Sequence, residues 1–390
     1  MEVGNKIQKI FTKHYPSYET KNKVPGHGRK AAWYIMNCRT KVLGGHVHRC
    51  PNGDYFKIQY NSCKHRVCRQ CSGFQIEKWL KKQTNKVLNT DHYHIIFTIP
   101  HEFNDIWMLN TKKLTNLLFR SAKKALDQMF EDERYIGGKP GAISTLHTWG
   151  KTMILHPHIH MLVTGGGINK KGEWKSSKKG FLIPVKSLMK LFRKYYTNGL
   201  HNLLYNGEIK LPKGETYKRY HQRVREQGKQ KWNVNIREKY LHGEGVIKYL
   251  GRYIKGGPIS DKRIIKITDN DILIKYSDNK DNGKKKIMKL SCEEFIRRFI
   301  LHIQKKGMKV IRYYGIYSPN CKEKLNRIRK KFGQEPVKEI KVDWIRYCEQ
   351  AGMTDLNRCP ICGATLESTE KVLPIKRNIR EQIPLSRNAS

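Results

Sequence analysis

Acidic residues are scarce in this chain. Among 390 residues, 33 Asp and Glu stand against 78 Lys and Arg, a formal net charge of +45 at pH 7. An excess of that size repels itself in a compact state and is tolerated chiefly where phosphates neutralise it. A small-molecule enzyme fits that balance poorly, and nucleic acid is expected ahead of an anionic membrane surface. Long apolar runs are missing too: no stretch approaches the roughly 18 apolar residues of a membrane span. The first residues, Met1-Glu2-Val3-Gly4-Asn5-Lys6, lack the apolar core of a secretory signal. The expectation is an intracellular, cytoplasmic protein with reduced thiols. Cysteine is almost absent from the middle, where only Cys292 lies between Cys71 and Cys321. Two cysteine clusters in a reducing compartment read as metal sites, not disulfides. No internal repeat is present.

What remains suffices for packed cores. Hydrophobic residues make up 38% and aromatics 10%, and the length allows two or three domains. Residues 1–90 read as a small metal-stapled module closed by a basic helix at 76–87. A β-rich run at 92–99, stopped by Pro100, opens a second unit over 91–311. There a helix is expected at 106–129, strands at 142–149 and 153–164, and a long helix at 185–204. Residues 213–231 carry seven Lys and Arg with Tyr217 and Tyr220 between them and read as a solvated basic arm, as does 280–289. A brief strand at 232–236, a helix at 246–255, strands within 263–290 and a helix at 293–305 complete this unit. Residues 312–390 form a basic region with a candidate zinc ribbon and a polar, flexible tail. The order gives an α+β fold, a sheet covered by helices.

Two motifs carry chemistry. His156-Pro157-His158-Ile159-His160 lies in an extended run, where residues i and i+2 share a face. His158 and His160 then sit about 7 Å apart along the strand, near enough to converge on one divalent ion, with Ile159 turned into the core. The plainer reading is two packed histidines. In Tyr249-Leu250-Gly251-Arg252-Tyr253, the phenols at i and i+4 of a helix share one face. A phenol oxygen attacking a phosphodiester would form a covalent link to DNA that conserves the bond for later rejoining; the alternative is two of 20 tyrosines packing on an amphipathic helix.

The first cysteine cluster comprises Cys38, Cys50, Cys63, Cys68 and Cys71, with His46, His48 and His65 interspersed. A Cys-x2-Cys turn such as Cys68 to Cys71 brings two thiolates to tetrahedral Zn2+, so structural zinc is expected. The second, Cys359-Pro360-Ile361-Cys362-Gly363, has the form of a zinc knuckle that Cys348 completes, with Cys321 or His302 as competitors.

Together these residues resemble the two-tyrosine branch of the HUH rolling-circle insertion-sequence transposases. The resemblance also rests on Leu43-Gly44-Gly45-His46, Phe97-Thr98-Ile99-Pro100, Leu146-His147-Thr148-Trp149-Gly150, Phe181-Leu182-Ile183-Pro184-Val185, Phe295-Ile296-Arg297-Arg298-Phe299 and Arg312-Tyr313-Tyr314-Gly315. It implies a central antiparallel sheet flanked by helices. It also implies Mg2+ or Mn2+ on His158 and His160, with Tyr249 and Tyr253 as nucleophiles. Single-stranded DNA would be cut to a 5′-phosphotyrosine and a free 3′-OH, with duplex bound at the element ends. A third, oxygen ligand is usual, for which Glu244 is the candidate; His147 and His156 read as packing or supporting residues. The family commonly has Cys-x2-Cys where this chain has Cys50-Pro51-Asn52-Gly53, so one expected thiolate is missing. A replication initiator or relaxase shares such a core, and a non-catalytic zinc-dependent DNA-binding regulator is the alternative of another class.

Overall fold

The computed structural model describes residues 5–178, 182–240, 257–278, 281–350 and 357–375, with Gly245, Ile247 and Gly251. The chain opens with α1 (Lys6–Lys21) and α2 (Gly26–Asn37), followed by β1 (Gly45–Arg49), β2 (Phe56–Tyr60), α3 (Arg69–Thr84) and β3 (His92–Thr98). Then come α4 (Asn104–Leu109), α5 (Thr111–Glu131), β4 (Lys139–Trp149), β5 (Leu155–Ile168), β6 (Trp174–Ser176), α6 (Val185–Tyr205), α7 (Tyr217–Lys229) and β7 (Val234–Tyr240). The last part holds β8 (Ile264–Ile267), β9 (Asp271–Asp278), β10 (Lys284–Ser291), α8 (Cys292–Leu301), β11 (Ile311–Tyr314), α9 (Lys322–Lys331), α10 (Trp344–Gln350) and β12 (Glu367–Val372).

The main sheet runs β11-β4-β5-β3-β7, with β6 paired to the end of β5, and every pairing is antiparallel. The alternation of side chains along a strand sorts its residues onto two faces. Tyr93, Ile95 and Phe97 of β3, Leu146 of β4 and Ile159, Met161 and Val163 of β5 enter one large core. Helices α5, α6 and α7 supply its other half through Leu114, Leu118, Phe192, Tyr196, Tyr220 and Val224. The neighbouring positions, His94, Thr98, His147, His158 and His160, therefore belong to the opposite face. The architecture is mixed α+β, a large antiparallel sheet flanked by helices, and no helix among the described residues is long and apolar enough to cross a membrane.

A second core joins α1, α2 and α8 to the three-stranded sheet β10-β9-β8. Phe11 meets Phe299 edge to face at 5.1 Å in it. A third cluster gathers Leu88, Ile143, Leu162, Ile247 and Tyr317 with Leu325 and Ile328 of α9. Ile143 and Leu162 bring it onto the histidine-bearing face of the main sheet.

Four sequence expectations change. The helix foreseen at 106–129 breaks at Asn110, whose side-chain amide donates to the Ile106 carbonyl at 3.0 Å and the Lys210 carbonyl at 2.7 Å. The basic arm at 213–231 is mostly helix α7: Thr216 Oγ1 accepts from the Arg219 N–H at 3.3 Å as an N-cap, and Tyr220 and Val224, one turn apart, are buried. The basic stretch near 280–289 is no free arm either. From Lys284 it pairs with β9, and Lys286 meets Asp278 at 2.9 Å and Asp281 at 3.2 Å. Finally, β5 runs past Thr164 through Gly165-Gly166-Gly167. The glycines admit close neighbours: a Cβ on Gly166 would lie 2.5 Å from the Lys175 carbonyl oxygen. Of the helix expected at 246–255, only Ile247 and Gly251 are described.

Candidate active site and metal centres

The register of three strands builds the first site. On β5, His158 stands opposite His147 of β4 and Thr98 of β3, while His160 stands opposite Thr145 and Ile96. His147, His158 and His160 each present a ligand nitrogen, all within 4.8 Å of one another, and all three are buried. The His158 Nδ1–H donates to the His156 carbonyl at 2.6 Å. A carbonyl only accepts, so this bond leaves the Nε2 lone pair for an ion. His160 Nδ1 lies 2.7 Å from His94 Nε2, an outer contact that orients the ring.

Burial sets the protonation of this cluster. It pushes His158 down to about 3 and His94 down to about 4, and holds His147 and His160 well below the usual histidine value; neighbouring imidazoles add to the effect at His147, His158 and His160, and the Arg237 charge adds to it at His94. The rings are neutral at physiological pH, as ligation requires. An all-imidazole set matches Mg2+, which prefers oxygen, less well than Mn2+ or another first-row ion. The sequence reads His147 as a packing or supporting residue; the structure makes it the third member of the cluster. Its signal is strand pairing, because parity on β4 and register with β5 must both be known. His156 supports through its carbonyl, and its ring lies 5.0 Å from that of His101. Tyr249, Tyr253 and Glu244 lie outside the described residues.

The histidines sit at the base of a cleft of about 800 Å³ whose wall includes Arg69, Lys151, Arg237 and Arg263. Among the described lining residues, Asp278 is the one carboxylate. An open, cationic trough over buried neutral imidazoles suits a phosphate chain.

The cysteines divide differently from the sequence reading. Cys38, Cys63, Cys68 and Cys71 form one group with all sulfurs within 4.8 Å. Cys71 Sγ lies 3.5 Å from Cys38 Sγ and 3.7 Å from Cys63 Sγ. Thiolates at ~2.3 Å on tetrahedral zinc are about 3.8 Å apart, so this four-sulfur set fits zinc. The His65 N–H donates to Cys63 Sγ at 3.4 Å, the backbone support such a site needs. Cys50 is not in this group. It follows β1 away from it and stands with Asp54, Cys359 and Cys362 in a second one. Cys348, expected beside Cys359 and Cys362, is outside both groups, since α10 packs on α3, with Trp344 and Tyr347 against Phe74 at 5.0 and 5.4 Å.

Two family models and two curated relatives match the chain. Residues 141–324 match the family described as "Putative transposase", and residues 10–99 match the "Transposase zinc-binding domain". The chain is 31% identical over 377 residues to "Putative transposase y4qJ" of Sinorhizobium fredii (strain NBRC 101917 / NGR234), covering 92% of this chain and 93% of that protein. It is 26% identical over 347 residues to "Transposase for insertion sequence element IS801" of Pseudomonas savastanoi pv. phaseolicola, covering 87% of this chain and 82% of that protein. No solved structure matches. With 93% of a relative's length covered at 31% identity, the chain belongs to the two-tyrosine HUH insertion-sequence transposases, of the IS91 and IS801 type.

Proposed function

We propose that this transposase nicks and joins single-stranded DNA through a 5′-phosphotyrosine intermediate, in transposition of the rolling-circle type on an HUH fold. The observation that carries the reading is the convergence of His147, His158 and His160 at the base of a cationic cleft. A second supports it: Ile247, two residues before Tyr249, packs in the cluster that holds Ile143 and Leu162, which share the sheet face of His147 and His160.

A divalent ion on the three imidazoles, Mn2+ better than Mg2+, would supply Lewis acidity at a non-bridging oxygen of the scissile phosphate. Arg69, Lys151, Arg237 and Arg263 hold the flanking phosphates. The phenol oxygen of Tyr249 or Tyr253 attacks phosphorus; its bond to the 3′ oxygen breaks, and that oxygen leaves as a 3′-OH carrying a proton. The new phenol ester retains the 5′ phosphate, and attack by a 3′-OH at the target later restores a phosphodiester and frees the tyrosine. In this scheme residues 1–90, with structural zinc on Cys38, Cys63, Cys68 and Cys71, recognise DNA, duplex at the element ends. Residues 91–311 carry the chemistry, and 312–390 add a basic region. The enzyme acts on the chromosome at the nucleoid.

A suicide oligonucleotide tests the reading. The wild-type chain should give a denaturation-resistant, Mn2+-dependent protein–DNA adduct. Tyr249→Phe combined with Tyr253→Phe should abolish the adduct while retaining DNA binding. A surviving adduct removes the tyrosine assignment, and no adduct from wild type with binding intact points to a DNA-binding regulator.

A further inference from the structure

Two turns far apart in sequence are closed by the same backbone bond. At the first cysteine of each, the backbone N–H donates to a carbonyl five residues on, Cys50 to Tyr55 and Cys359 to Ala364, both at 2.8 Å. A glycine in the left-handed region closes each one, Gly53 at φ +81° and Gly363 at φ +74°. The Ile361 N–H donates to Cys359 Sγ at 3.4 Å, and the Asn52 amide to Cys362 Sγ at 3.5 Å, polar support of the kind that metal-bound sulfur attracts. The second turn carries thiols at both ends. The first carries one: Gly53 stands at the position of the second thiol, and the next residue, Asp54, brings a carboxylate.

The two turns face each other. Cys50 Sγ lies 3.4 Å from Cys362 Sγ, a pair 312 residues apart, and 3.9 Å from Asp54 Oδ2. The donor atoms of Cys50, Asp54, Cys359 and Cys362 all fall within 4.8 Å of one another. The strands at their flanks hold them in place: β1 runs into Cys50, β12 follows the second turn, and the two pair from Gly45 opposite Val372 to Arg49 opposite Glu367. Arg49 and Glu370 add an ion pair at 3.1 Å.

We propose that Cys50, Asp54, Cys359 and Cys362 form a second zinc site, split between the two ends of the chain, with Asp54 supplying the fourth donor. Three sulfurs and one carboxylate oxygen complete a tetrahedral shell with no open position, so the ion is structural. It clasps β12 and the turn before it onto the N-terminal module. Zinc content is read on the full-length chain without DNA, so the outcome is independent of the transposition chemistry.

Zinc per chain is measured in the His158→Ala, His160→Ala background, which keeps the imidazole cluster out of the count. Two ions are expected, falling to one in Cys359→Ser/Cys362→Ser and staying at two in Cys348→Ser. One ion in the parent, or two in the double-serine variant, would overturn the proposal. A gain-of-signal variant covers the chance that the double-serine chain misfolds. In Co2+-loaded protein, Asp54→Cys should intensify the thiolate-to-cobalt absorption as that site goes from three sulfurs to four. An unchanged spectrum would exclude Asp54 from the shell and sink the split site as drawn.

Discussion

At the residue scale the informative side chain is His147. With His147, an ion would gain one more protein ligand than His158 and His160 offer. Truncation of His147 and that of His156 should therefore separate cleanly. His147→Ala is expected to lower adduct formation at limiting Mn2+ by roughly 100-fold or more, as removal of a ligand exceeds the 10–100-fold cost of losing an outer hydrogen bond. His156→Ala, which keeps the carbonyl that orients His158, should stay within a few-fold. Equal losses would mean that His147 is a packing residue after all. The Mn2+ dependence of the rate, titrated for both variants, distinguishes a metal defect from a folding defect.

At the scale of elements, α8 and the loop between β4 and β5 are locked by one buried ring. His302 Nδ1 lies 3.1 Å from Thr148 Oγ1, and its Nε2 lies 2.9 Å from the Met153 carbonyl, so Nε2 carries the proton and donates. Burial pushes this histidine from its ordinary 6.5 down to about 4. Because the folded value is the lower, the unfolded chain takes up the proton first. The stabilisation is whole above pH 6.5 and is lost as the pH falls from 6.5 towards 4. The difference amounts to on the order of 3 kcal/mol. The denaturation midpoint recorded from pH 7 to 4 should fall across this window, and less steeply in His302→Gln. Parallel curves for the two proteins would show that other groups govern the acid transition.

At the scale of the whole molecule, the net charge of +45 sets how DNA is held. If Arg69, Lys151, Arg237 and Arg263 each neutralise one phosphate of a single strand, log K should fall with log salt at a slope of about −3. Raising salt from 50 to 200 mM then weakens binding about fifty-fold, and Lys151→Ala flattens the slope by about 0.7. Fluorescence anisotropy on a single-stranded oligonucleotide gives both numbers, and an unchanged slope in the variant removes Lys151 from the contact set. The net charge predicts a polyanion partner; the strand pairings decide which cations face it. Much of the apparent basic arm at 213–231 is committed to α7 through Tyr220 and Val224, and Lys286 of the other arm is held by Asp278 and Asp281.

Local order in the chain was enough for whatever depends on neighbours in sequence. Alternation told that His158 and His160 share a strand face and that Ile159 is core, and helical spacing foresaw α6 and α8. The motifs, taken in order, were enough for the family. Contacts between distant segments needed the folded chain. Whether His147 meets His158 depends on the register of β4 against β5. Whether Cys50 belongs with Cys38 or with Cys362 depends on the pairing of β1 with β12 across most of the chain length. Spacing in a sequence fixes direction over a few residues, since each backbone angle adds its own rotation; beyond that, only the packing of cores and the hydrogen-bonded register bring particular side chains to one point.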